Sequence, residues 1–150
     1  MHRVFRLDSK VAFAIYAIAD LVCVGMAMGV PIFCIGFGFP VGWYIAKRVT
    51  TATANVREVL SRLFVYAVVT SAFTFVVMAV LWGATISMLF DPSSDFANFG
   101  IPMILYDPKI SFIGWLVLMI FISPFLQLLT TLFSSYLTLL YSLKHGGNVA

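Results

Sequence analysis

Few side chains in the apolar parts of this chain can do chemistry, and one carboxyl stands apart. Asp20 is the one formally charged residue in three long apolar runs, 11–46, 63–90 and 110–143. A carboxyl inside an apolar helix can exchange a proton, help hold a cation, or brace neighbouring helices through hydrogen bonds. Its candidate partners are uncharged. Tyr16 lies one turn before it on the same face. Tyr66, Thr70 and Thr74 share one face of the second run. Gln127, Thr131, Ser134, Thr138 and Ser142 make a stripe in the third, with spacings of four, three, four and four. Tyr16, Thr70, Thr74, Gln127, Thr131 and Ser134 are therefore expected to join Asp20 in a polar layer, as coupling or ligand-binding candidates.

Other chemistries find no support. The two histidines, His2 and His145, sit in the terminal tails. That leaves no Ser-His-Asp or Cys-His set within the runs, and no axial ligand for haem. An aspartyl dyad needs two close carboxyls, and one chain supplies only Asp20. No HExxH, no GxxxxGK[ST] and no metal-ligand cluster occurs. Cys23 and Cys34 match no zinc spacing. They read as small buried thiols, with a disulfide across facing helices also geometrically open. The expectation is a protein that is not an enzyme and uses no cofactor and no metal.

The elements that must position these groups follow from the apolar runs. With 62% hydrophobic and 10% charged residues, the chain does not have the balance of an ordinary soluble domain. A spanning helix needs about 20 apolar residues. The second and third runs suit one span each, and the first suits two short ones. The predicted fold class is an all-α transmembrane helical bundle of four spans in one domain, at about 11–28, 32–46, 60–90 and 110–143, with an outer loop over 91–109. The first two spans should form a short, tight hairpin turning at 29–31. Asp20 falls near the middle of the first span, where an Asp costs about 2.5–3.5 kcal/mol to insert. That central carboxyl also argues against a cleaved signal peptide.

Small residues suggest how the helices pack. Gly25 and Gly29 form a GxxxG pair, and Cys34, Gly38, Gly42 and Ala46 form a four-residue-spaced ridge. Such ridges let helix backbones approach closely. Gly25, Gly29, Gly38 and Gly42 are read as helix-packing residues, serving the first hairpin in preference to a homodimer seam. Pro40 should make 37–40 irregular, and Pro124 should kink the last helix. Asp8 or Ser9, Asn55 and Asp107 are candidate caps, with Glu58 completing a capping box and Pro108 at a first helical position.

Charge sets the orientation. Eight of the nine basic residues flank the runs at the amino terminus, in the 47–62 segment and at Lys144; Lys109 alone is opposite, beside Asp91, Asp95 and Asp107. The positive-inside rule puts both termini in the cytoplasm of a cell-membrane protein. The net charge of +3 is thus a topological signal and implies no nucleic acid. The partners implied are the lipid bilayer and a homo-oligomer or larger membrane complex. A mid-membrane acid in the first of four helices is similar to the arrangement in small multidrug-resistance transporters, although those carry Glu and lack so long an outer loop. The leading expectation is a structural, accessory or assembly component. The alternative is a small proton- or cation-coupled transporter with Asp20 as coupling carboxyl. The orientation predicts that a Ser94→Cys variant reacts with an impermeant thiol reagent from outside intact cells. Labelling only after the cytoplasmic side is opened would refute it.

Overall fold

A computed structural model describes residues 8–26, 31–53, 55–101, 103 and 105–146, with residues 26, 145 and 146 described by backbone alone. The fold is 85% helical, with no strand among the described residues. The helices are α1 (Ser9–Met26), α2 (Ile32–Ala52), α3 (Val56–Gly83), α4 (Pro108–Val117) and α5 (Ser123–Gly146). A 3₁₀ segment, Ala84–Phe90, continues α3, and a π-turn, Leu118–Ile122, joins α4 to α5 without a break. The two continuous stretches Val56–Phe90 and Pro108–Lys144 are each long and apolar enough to cross a membrane. The helices α1 and α2 have 18 and 21 residues.

Local chemistry explains the helix ends. The carbonyl of Asp8 accepts the Ala12 amide at 2.9 Å, which opens α1. The Asn55 side chain caps α3 by accepting from the Arg57 amide at 3.1 Å. Glu58 does not close the expected box directly. Its carboxylate accepts from the Thr53 hydroxyl at 2.9 Å, and that hydroxyl oxygen accepts the Asn55 amide at 3.3 Å. The box is thus relayed through Thr53. Asp107 caps α4 by accepting from the Ile110 amide at 3.1 Å, with Pro108 in the first turn.

The prolines act differently from each other. Pro40 lies inside α2, which remains helical through 37–40, contrary to the expected irregularity. Pro124 has no amide and crowds the turn before it. The helix widens there, and the Ser123 amide reaches the Leu118 carbonyl, five residues back. A π-turn therefore stands where a kink was expected.

The tightest pair is α2 with α5, not the α1–α2 hairpin. Gly38 and Gly42 face α5 directly. A Cβ on Gly38 would meet the Thr130 hydroxyl and stand 2.7 Å from the Gln127 carbonyl oxygen; one on Gly42 would collide with the Thr131 carbonyl. Hydroxyls of α5 reinforce this approach by donating to α2 carbonyls: Thr130 to Ile35 at 2.8 Å, Ser134 to Phe39 at 2.7 Å and Ser135 to Gly42 at 2.9 Å. Gly25 is exposed, with nothing within 4 Å of a Cβ built on it, so close packing does not require a glycine there. Gly29 and the expected 29–31 turn fall on positions of which only Pro31 is among the described residues.

Three apolar clusters lie along the interior. Ile45, Ala46, Val49, Val59 and Leu63 form one near the α2–α3 corner. Val24, Cys34, Met78, Trp115 and Met119 form the next. Phe112, Leu116 and Ile120 form the third, capped by Phe96, Phe99 and Ile101 of the loop. Both Phe96 and Phe99 stand 5.0 Å from the Phe112 ring. The Ser111 hydroxyl ties the loop down by accepting the Leu105 amide and donating to its carbonyl, at 2.8 and 2.9 Å. The loop carboxyls stay solvent-facing. Ser93, through its hydroxyl and then its amide, holds Asp91 below the usual carboxylate range, and Asn98 does the same for Asp95.

Gly38→Ala and Gly42→Ala should each force α2 away from α5 and cost about 1–3 kcal/mol. Gly25→Ala should be neutral or slightly stabilising, because Ala favours helix. Unfolding of the three variants in detergent micelles checks the contrast; equal losses at all three positions would refute it.

Candidate functional site

The polar layer is built from three helices that are not consecutive. Tyr16 and Asp20 share the inner face of α1, Thr70 and Thr74 that of α3, and Gln127 projects from α5. Asp20, at 0% exposure, is fully enclosed, as are Thr74 and, to within 1%, Gln127. The Thr74 hydroxyl stands 3.0 Å from each Asp20 oxygen, and the Gln127 amide nitrogen donates to Oδ1 at 3.2 Å. Both groups are donors, as a carboxylate requires.

Tyr16 completes the set from the same face of α1, one turn before Asp20. Its hydroxyl donates to the Thr70 carbonyl at 2.8 Å and lies 2.8 Å from the Thr74 oxygen. A hydroxyl carries one proton. With that of Tyr16 on the Thr70 carbonyl, the Thr74 proton is left for Asp20. Gln127 also reaches the Tyr16 oxygen, at 3.5 Å. Aromatic neighbours fix the phenol ring: Phe37 stacks at 5.7 Å and Phe73 meets it edge-on at 5.9 Å.

Four of the six expected partners gather around Asp20, and one does so in an unexpected way. Thr70 contributes its backbone carbonyl to the network, while its own hydroxyl bonds back to Tyr66 and Ala67 at 3.0 and 2.9 Å. Thr131 and Ser134 are buried but stand outside the network. Thr131 bonds the Gln127 carbonyl of its own helix at 2.8 Å, and Ser134 serves the Phe39 carbonyl of α2. Such back-bonding is the usual alternative for hydroxyls on helices. The walls, Phe37 and Phe73, were not singled out in the sequence, where nothing separates them from the other thirteen phenylalanines. Ser71, next to Thr70, ties α3 to α5 by donating to the Pro124 carbonyl at 2.7 Å.

The charge around the site is sparse. Among the described residues the ion pair recorded is Arg62 with Glu58, one turn apart on α3 and far along the helix from Thr74. No group of three His, Cys, Asp or Glu side chains suited to a metal ion occurs among the described residues. Cys23 and Cys34 are free thiols. The arrangement can therefore do two things: hold three helices in one rotational setting, or bind and release a proton at Asp20. Comparison with protein-family models, with curated proteins and with solved structures gave no match.

Thr74→Val keeps the shape of the side chain and removes the donor to Asp20. It should cost about 1–3 kcal/mol, the usual loss when a buried polar partner is left unmet. Thr131→Val should cost less, since its hydroxyl bonds only its own helix. Parallel unfolding measurements decide; a larger loss for Thr131→Val would overturn the assigned network.

Proposed function

We propose that the chain is a four-span integral membrane protein, with both termini in the cytoplasm, acting as a non-enzymatic structural, accessory or assembly component. The spans are α1, α2, α3 and the continuous α4–α5 helix. In this reading Asp20 is a brace that fastens α1 to α3 and α5.

The observation that carries the reading is the inverted distribution of polarity around Asp20. Asp20, Thr74, Ser123, Gln127 and Ser135 are buried, while Ile18, Val80, Phe125 and Phe133 are more than half exposed on the outer faces. A water-soluble bundle would be ordered the other way. An apolar solvent explains both halves: lipid covers the outer side chains, and polar groups turn inward to find partners. The basic residues Lys10, Lys47, Arg48, Arg57, Arg62 and Lys144 flank one end of the helices, and Asp91, Asp95 and Asp107 the other. This supports the orientation by the positive-inside rule. The short α1 and α2 are sheltered on one side by the longer helices, which suits a locally thinned bilayer.

The brace supports a structural role over a coupling one because Asp20 is enclosed and both its oxygens have donors. The alternative, a proton- or cation-coupled transporter, draws on the lack of a basic partner for Asp20 among the described residues. Asp20→Asn separates the two. It keeps the side-chain shape and most hydrogen-bonding capacity. In vesicles loaded with a pH-sensitive dye, the structural reading expects the same proton and cation leak for wild type and Asp20→Asn. It also expects a clear loss of stability in Asp20→Leu. A flux that wild type supports and Asp20→Asn abolishes would replace the structural reading with the transport one.

A further inference from the structure

Three buried side-chain atoms have no hydrogen-bond partner among the described residues: Trp115 Nε1, Ser123 Oγ and Gln127 Oε1. All lie on the continuous helix that runs through the π-turn. Ser123 is 0% exposed and Gln127 1%. An orphaned buried polar group is destabilising, and an apolar surround offers no relief. Native interiors meet such groups with bound water.

Ser123 and Gln127 are four residues apart on one face of the helix, so a single water beside that face can bond both side chains. Between them is Pro124, which has no amide. A carbonyl in the turn before it therefore has no helical donor. That makes three polar groups within one stretch of helix, and a buried water needs two to four. An apolar ligand would leave all three unmet. A metal ion would find a neutral hydroxyl, an amide and a carbonyl, with the amide nitrogen of Gln127 already turned to Asp20.

We propose that Ser123, Gln127 and the carbonyl freed by Pro124 bind an internal water molecule. This water carries the Asp20 network upward to the π-turn, so that the joint between α4 and α5 belongs to the same hydrogen-bonded unit as α1 and α3. The inference goes beyond the proposed role and holds whether Asp20 braces the bundle or exchanges protons.

Radiolytic hydroxyl labelling of the full chain in lipid nanodiscs tests it. X-rays split a bound water where it sits, so a buried side chain beside it is oxidised. The reporter is Met119, one turn from Ser123, 1% exposed and packed in the Trp115–Met78 cluster. The expected result is oxidation of Met119 in wild type, falling several-fold in Ser123→Ala and in Gln127→Leu. If Gln127→Leu does not fold, Ser123→Ala decides alone, since it removes a single atom. Absence of Met119 oxidation in wild type, or the same rate in wild type and Ser123→Ala, overturns the proposal.

Discussion

A carboxyl that cannot reach water must find its hydrogen-bond donors inside the protein, and Asp20 finds them on two other helices. Thr74 comes from α3 and Gln127 from α5, 54 and 107 residues away in the chain. Meeting both requires α1, α3 and α5 to hold one rotation about their axes. A rotation of even one residue would turn the acid or its donors toward the outer face. In a medium of low dielectric each such bond is strengthened, and each missing one costs more. The hydroxyl of Tyr16 follows from the same need, because it takes the Thr70 carbonyl and leaves the Thr74 proton for Asp20.

The donor from α5 arrives there because α2 lets α5 come close. Gly38 and Gly42 remove the side chains that would separate the two backbones. Three α5 hydroxyls then bond α2 carbonyls across the gap. In the membrane setting proposed above, apolar side chains gain little from association, so close packing and hydrogen bonds would supply the attraction. The same helix carries Gln127 one turn before Thr131, so the α2–α5 contact and the Asp20 contact are set by one element. The π-turn ahead of Pro124 keeps α4 in line with it while the α3 hydroxyl of Ser71 bonds the Pro124 carbonyl.

Much of this was legible in the chain, for reasons of range. The caps at Asn55 and Asp107 involve groups within three residues, so spacing alone located them. The relay through Thr53 was missed because a second side chain, two residues before the cap, stands between Glu58 and the Asn55 amide. The end of α2 lies at Ala52 rather than Ala46 because a helix outlasts its apolar stretch: Lys47 and Arg48 continue it, with Arg48 reaching the hydroxyls of Tyr44 and Ser9. Small-residue spacing marked Gly38 and Gly42 as contact points but carried no address for the partner. The nearest helix in sequence was the natural expectation, and α5 is the actual neighbour.

What the sequence by itself determined is the class of molecule and the need at its centre: an all-helical chain with two long apolar helices, and one carboxyl that must be met by uncharged donors. Composition and period are enough for that, since they depend on which residues occur and how they are spaced. Tertiary structure decided which donors reach Asp20, that Thr70 serves through its carbonyl, and that Thr131 and Ser134 turn elsewhere. Those outcomes depend on how far each helix is rotated about its axis and how closely it approaches its neighbours. Rotations and distances between helices are set by packing across the whole bundle, and no local spacing encodes them.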